Sequence, residues 1–495
     1  VSRVPDRTPV IVGAAQVVQR AQDPLRAREP LALIEDALRA AAEDAEAPAL
    51  LAAADSVAVC QGLTDYANPA AWLAARFGAR AESVLGGISG TTAQQFVADA
   101  ARAIAAGRRD VVLIAGGEAE HSARRARRAG AEPQRSRAEG PPVDRRLGAS
   151  MTAAEWKGRP DAQSGLTSPA ATFAVFETAM RHRYGLSVAE HRARIAAMWA
   201  RNARVAAENP FAWIRRAPSA EEIATPSAAN PWVATPYTKL LVANMVVDQA
   251  AALVVTSAQR ARALGIPESR WVYPHASVEA VLARQISERE TLAAEPPLAL
   301  VARRACELAQ LDAKDAALLD FYSCFPAPAQ LTAEALGLPV ERPLTVTGGL
   351  TYGGGPLNSY VLHALATVVA KLRGRGAERA LVTAVGGAFS KHAAGVYGAA
   401  PPERGFAFAD LAEEVRALPQ RAYDGGYTGD AEIEAYTVLA DHGRLARAAV
   451  ACRTPSGARC WARVSDAELA ERFAHEDLVG TRVRIASGRE IALGR

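Results

Sequence analysis

One pattern occurs twice in this chain and limits the folds open to it. Glycines at 86, 87 and 90 make a tight turn. The spacing of Phe96, Val97, Ala100 and Ile104 then predicts a buried helix over 91–106, stopped by Gly107. A buried strand over 111–114 follows, closed by Gly116-Gly117. The same order returns with glycines at 353, 354 and 355, and Pro356 opens a helix carrying Tyr360, Val361, Leu365, Val368 and Leu372. Gly374 and Gly376 stop that helix, and a strand over 381–385 is closed by Gly386-Gly387. Glycine turn, buried helix, strand and double glycine, repeated in order, imply two α/β halves from a duplication.

Other segments fit around these halves. Strands are expected at 10–12 and 55–60, and a helix at 29–43. An Arg-, Pro- and Trp-rich stretch from 118 to 239, with a helix over 195–208, reads as an insertion, after which 241–256 resumes a helix and a strand. Beyond Pro401-Pro402, apolar runs at 431–439, 445–452, 458–464 and 479–485 alternate with turn residues and predict a small β unit. With 495 residues, the chain is long enough for about three domains.

Composition removes several classes of function. A net charge of +4 is small for this length, and 404–495 holds 13 Arg, no Lys and 14 acidic residues, so no nucleic-acid partner is expected. No apolar run approaches the ~20 residues that span a bilayer, and 1–3 do not open a charged leader, so a cytoplasmic protein with no membrane partner is expected. The five cysteines (60, 306, 324, 452 and 460) are odd in number and scattered, with no metal spacing. Cys452 and Cys460 flank a turn at Pro455-Ser456-Gly457, and a bridge between them depends on the strand register.

Four ordered segments carry a resemblance: GGISGTTAQQFVADAARAIAAGRRDVVLIAGGE (86–118), DFYSCFP (320–326), GGLTYGGGP (348–356) and TAVGGAFSKHAAGVYG (383–398). Together they resemble the thiolase superfamily, in its sterol-carrier-protein-type branch. Within that branch the chain is most similar to the mycobacterial thiolase-like proteins of type 1, which add a C-terminal β-barrel. The resemblance implies two duplicated βαβαβαββ halves in five αβαβα layers, an inserted loop domain and a small all-β barrel. The implied divisions are 1–118 with 240–262, then 119–239 as a lid, 263–400, and 404–495.

The resemblance also places the site. The family's nucleophilic Cys, at a helix N-terminus that lowers its pKa, corresponds to Gly87. Its activating His corresponds to Gly355, and its acid–base Cys to Ala384. Thiolysis and Claisen condensation by the family mechanism need all three groups, so a working thiolase is not expected despite the homology to acetyl-CoA acyltransferases. Ser89 remains as a helix cap or a nucleophile, Cys324 as a buried packing residue of the second motif, and Gly386 as a backbone N–H for a thioester oxygen. These three are the expected substrate contacts. Tyr322 and His392 are the candidate acid–base pair, expected to face one pocket; each also has a structural reading, as a space-filling phenol and a hydrogen-bonded imidazole. Arg124, Arg125, Arg127, Arg128, Arg135, Arg137, Arg145 and Arg146 could meet the phosphates of coenzyme A or simply line a solvated surface. The implied ligand is a coenzyme A thioester with no bound cofactor or metal, handled by a monomer or weak dimer. Three functions stay open: an acyl-CoA enzyme of altered chemistry in lipid metabolism, a non-catalytic acyl-CoA-binding or scaffold protein, and an aldolase-type lyase using Tyr322.

Overall fold

The structure is a computed structural model that describes residues 4–136, 140–148, 150, 153–281 and 285–493. Residues 1–3 and Arg137 therefore lie outside the described residues. Strands β1 (Pro9–Val18), β2 (Ser56–Cys60), β3 (Glu82–Gly86), β4 (Val111–Ala119), β5 (Arg145–Leu147) and β8 (Asp248–Ser257) form the first sheet, in the order β1-β8-β4-β2-β3-β5. Strands β9 (Tyr273–Val281), β10 (Leu318–Asp320), β11 (Arg379–Gly386), β12 (Lys391–Gly398) and β13 (Ala407–Asp410) form the second, in the order β10-β11-β12-β9-β13.

Five helices complete these layers. Helix α1 (Pro30–Asp44) covers the outside of the first sheet with Leu31, Ile34, Leu38 and Ala41, and α2 (Pro69–Phe77) packs on β2 and β3. Helices α3 (Thr92–Ala105) and α9 (Tyr360–Leu372) each touch both sheets and form the middle layer. Helix α7 (Pro296–Leu308) covers the outside of the second sheet. The central helices are buried over most of their surface, whereas α1 and α7 bury one face, which sorts them into the inner and outer layers.

Two sequence expectations change. Gly116-Gly117 does not close its strand, because β4 runs through both to Ala119. A Cβ on Gly117 would lie 2.5 Å from Ala250 Cβ, and one on Gly116 2.7 Å from Ser359 Cβ. These glycines therefore permit close packing inside the sheet. The helix expected from 241 is only a 3-10 turn, Lys239–Leu241, ahead of β8.

The insertion comprises α4 (Glu120–Arg128), α5 (Pro169–Arg183), α6 (Val188–Glu208), β6 (Trp232–Ala234) and β7 (Tyr237–Thr238). Helix α6 starts seven residues earlier than the apolar pattern suggests. Ser187 and Glu190 form a capping box that satisfies its first turn. Helix α8 (Pro326–Ala335) follows the second family motif.

The last unit is a curled sheet of β14 (Gly429–Asp441), β15 (Arg444–Arg453), β16 (Arg459–Val464), β17 (Arg482–Ile485) and β18 (Ile491–Leu493), in the order β16-β15-β14-β17-β18, with β6 paired to β14. A bridge between Arg463 and Glu490 brings the two edges together, and helix α10 (Ala467–His475) packs against β14 and β15. The boundary drawn at 404 is too early, because β13 pairs in parallel with β9 and belongs to the second sheet. Cys452 and Cys460 are direct cross-strand neighbours, yet both are free thiols.

Candidate functional site

The turn between β3 and α3 is built from backbone and hydroxyl contacts. Gly87 N donates to Leu147 O at 2.9 Å, and Gly87 O accepts from Thr92 Oγ1 at 2.7 Å. Ser89 is buried, with its Oγ 2.7 Å from Thr91 Oγ1 and accepting the Thr91 N–H at 3.3 Å. Thr91 itself occupies the N-cap position, so Ser89 braces the turn from outside the helix.

Three of the four motif segments touch at this turn. A Cβ on Gly90 would lie 2.1 Å from Val385 O and 2.3 Å from Tyr322 Oη. One on Gly386 would lie 2.1 Å from Ser89 Oγ and 3.2 Å from Gly90 N. The glycines at 90 and 386 thus let β11 and the Tyr322 loop close onto the start of α3. The fourth segment approaches the edge formed by the C-terminal ends of the central strands β4 and β2 of the first sheet. Leu357–Ser359 packs on α3 and β4, and Asn358 Nδ2 donates to Gln61 O at 2.6 Å. Gly355 N donates to Asn244 O at 2.9 Å. Ala384 is fully buried in β11, on the same face as Gly386.

Tyr322 is anchored by its backbone N–H on Thr383 Oγ1 at 3.0 Å and meets Tyr360 edge-on at 5.7 Å between ring centroids. Its hydroxyl has no hydrogen-bond partner among the described residues, and burial raises the pKa of the phenol. Tyr360 donates to Asp320 Oδ1 at 2.8 Å, while Asp320 Oδ2 accepts from Thr345 Oγ1 at 2.8 Å and Val346 N at 3.0 Å. Burial pushes the Asp320 carboxyl up to about 6 despite these donors. Cys324 is buried and burial raises its thiol pKa, which suits packing rather than nucleophilic chemistry.

His392 is not where an acid–base partner of Tyr322 would have to be. On β12 it pairs with Val385, one residue out of step with Ala384 and Gly386, so its ring points through the opposite face of the sheet. There His392 Nε2 lies 3.1 Å from Glu295 Oε1, just before α7, and the residue is fully buried. Glu295 also pairs with Arg289, whose guanidinium donates to Ala388 O at 3.2 Å and to Phe389 O. The expectation of one Tyr322–His392 pocket fails on strand alternation, which separates the two side chains.

The arginines of the insertion are largely engaged. Arg124 and Arg127 pair with Glu120, Arg125 binds the carbonyls of Ala21 and Gln22, and Arg145 pairs with Glu82 and Asp99. Arg128, Arg135 and Arg146 are exposed.

Sequence reading missed Glu118, a buried carboxylate beside this edge. It accepts the Leu63 N–H at 2.8 Å, and burial pushes its pKa up to about 7, with Glu120 adding to the rise. No spacing marks it, since it follows the double glycine as any strand residue would. Among the described residues, no three His, Cys, Asp or Glu side chains cluster to hold a metal.

Comparison with known proteins agrees with this architecture. Residues 410–490 match the model of the thiolase-like protein type 1 additional C-terminal domain. No curated protein sequence matches the chain. A monomeric SCP2-thiolase-like protein type 1 from Mycobacterium smegmatis superposes with a TM-score of 0.83 at 30% identity, over 99% of this chain and 100% of that one. The Ltp2-ChsH2(DUF35) aldolase gives 0.58 at 21% identity, over 79% of this chain and 97% of that one. An acetyl-CoA acetyltransferase from Syntrophomonas wolfei gives 0.54 at 15%, over 79% and 98%. The last two share the thiolase fold, and the first, at its identity and full-length coverage, shows that the chain belongs to the family of SCP2-thiolase-like proteins type 1.

Proposed function

We propose that this protein binds an acyl-CoA thioester at the start of α3 without performing thiolase chemistry. One observation carries the reading: Ser89, Gly90 and Gly386 form a tightly packed turn at a helix N-terminus, while Gly87, Gly355 and Ala384 stand where the family keeps its reacting side chains. Helix N-termini and backbone N–H groups still attract a polarised carbonyl oxygen when the nucleophile is gone. The test is thermal stabilisation of the full chain by acetyl-CoA. Ligand at 100 times Kd should add about 2.7 kcal/mol, and no shift at millimolar ligand overturns the reading in favour of a scaffold role.

A second reading, an acyl-CoA lyase of the aldolase type, is favoured by the Tyr322 hydroxyl. It makes no hydrogen bond among the described residues and lies against Gly90, so a substrate oxygen there could accept from it. Cleavage of a β-hydroxyacyl-CoA that disappears in Tyr322→Phe while acetyl-CoA binding survives would establish it.

Three attributes belong to the same proposal. A monomer or weak dimer is supported by β5, which covers the outer edge of β3, the edge that a partner strand would need. A reducing, cytoplasmic setting is supported by the five free thiols, and no helix among the described residues is long and apolar enough to cross a membrane. The near-neutral C-terminal unit is assigned no nucleic-acid partner.

A further inference from the structure

The C-terminal sheet meets the body of the molecule along α5 and β6, and is also fastened at a short turn, 286–290. Arg459 is fully buried and forms a two-pronged pair with Glu434, at 2.8 and 2.6 Å. Its remaining nitrogen, Nη1, donates to the carbonyls of Ile286 and Ser287 at 3.1 Å and of Arg289 at 2.6 Å. Trp461 Nε1 donates to Ser287 Oγ at 2.8 Å, and Arg421 N donates to Glu288 O at 2.8 Å.

From that turn Arg289 reaches back into the body. Its guanidinium binds Ala388 O and Phe389 O and pairs with Glu295, which in turn meets His392. Phe389 has φ of +57°, a left-handed conformation that a bulky side chain adopts only when its surroundings impose it. Phe389 sits in the 386–391 hairpin, closed by Ser390 N on Gly386 O at 3.2 Å. Gly386 is the residue pressed against Ser89. A continuous chain of contacts therefore runs from Glu434 through Arg459, the 286–290 turn and Arg289 to the loop that borders the candidate site.

We propose that the C-terminal unit is a clamp for this loop, with Arg459 and Arg289 as positioning residues that keep Phe389 in its strained form and Gly386 against the α3 turn. The turn that carries Arg289 is gripped by Arg459 through three carbonyls. The consequence for ligand affinity rests on the acyl-CoA reading, whereas the clamp itself does not.

The test uses the full chain and Arg459→Met, followed by amide hydrogen exchange. The Ser390 amide and its neighbours should exchange at least about tenfold faster, as expected when a charge-assisted hydrogen-bond set is lost. Amides in β1, β4 and β8 should stay within about twofold. Trp461→Phe, which removes one bond and is the milder change should Arg459→Met fail to fold, should move Ser390 in the same direction by a smaller factor. Acetyl-CoA binding should weaken in parallel, with free CoA, which lacks the thioester oxygen, unaffected. An unchanged Ser390 amide in the folded variants, or exchange rising equally throughout the molecule, overturns the clamp. Absence of acetyl-CoA binding in the unaltered protein overturns the ligand reading instead, and the exchange result still decides the clamp.

Discussion

Strand β12 and its neighbour β11 turn two faces to the rest of the molecule, and the faces are made of different chemistry. Toward α3 they present Ala384, Gly386, Ala393 and Gly395, with Lys391 opposite Gly386 and Tyr397 further along, whose hydroxyl donates to Gln94 Oε1 at 2.8 Å. Toward α7 they present His392, packed with Glu295 and Arg289 in a buried ionic cluster. The positions where a thiolase keeps its reacting side chains are bare on the first face, and the second face holds the ionic cluster. This buried polar cluster lies behind the strand that carries Ala384 and Gly386 and faces away from them. Its partners are internal, and it serves to hold the loop in front.

The largest effect that would break this contrast is catalysis on the first face. The protein should turn over acetoacetyl-CoA and CoA no faster than buffer, since loss of a general base alone costs 10²–10⁴-fold and the nucleophile is absent as well. A thiolysis assay showing turnover that survives both Ser89→Ala and Cys324→Ala would remove the basis for the contrast.

On the ionic face, Glu295→Ala leaves the buried Arg289 cation without its carboxylate. The expected loss is about 3–5 kcal/mol of stability, read from chemical denaturation. A loss below about 1 kcal/mol would mean that water already shares in solvating the cluster.

Glu118 sharpens the distinction between paired and unpaired buried carboxylates, because no cation among the described residues pairs with it. Its folded pKa lies near 7, above the ordinary 4.5. Below pH 4.5 the group is protonated in both states. Between about 4.5 and 7 the unfolded chain releases the proton first, so stability falls as pH rises. The full penalty, on the order of 3 kcal/mol, is reached above pH 7. Glu118→Gln should flatten that part of the stability–pH curve, and an unchanged slope contradicts the assignment.

The smallest effect tests how tightly the first face is packed. Gly386→Ala should cost about 1–3 kcal/mol through overlap with Ser89 Oγ. Ser89→Gly in the same chain should restore about 1 kcal/mol of it, measured as a double-mutant coupling. Additive effects would place the two residues out of contact.

Much of this was readable before any coordinates. The duplicated turn–helix–strand order predicts two α/β halves because a helix apolar on most sides must lie between two layers, as α3 and α9 do. The replaced positions Gly87, Gly355 and Ala384 are readable for a simpler reason, since an absent side chain needs no geometry to be absent. The four late strands were legible from their turn residues, and all four are present.

What tertiary structure alone decided is where the polar side chains point and what they meet. His392 and Gly386 are six residues apart and belong to the same quoted motif, yet a period of two puts them on opposite faces once the hairpin register is set. The role of Arg459 depends on a turn 170 residues away in sequence, and that of Glu118 on burial at the end of a strand. Periodicity reports which residues are buried, because burial follows local spacing. It does not report which buried charge finds which partner, because such pairs are formed by segments that only the folded chain brings together.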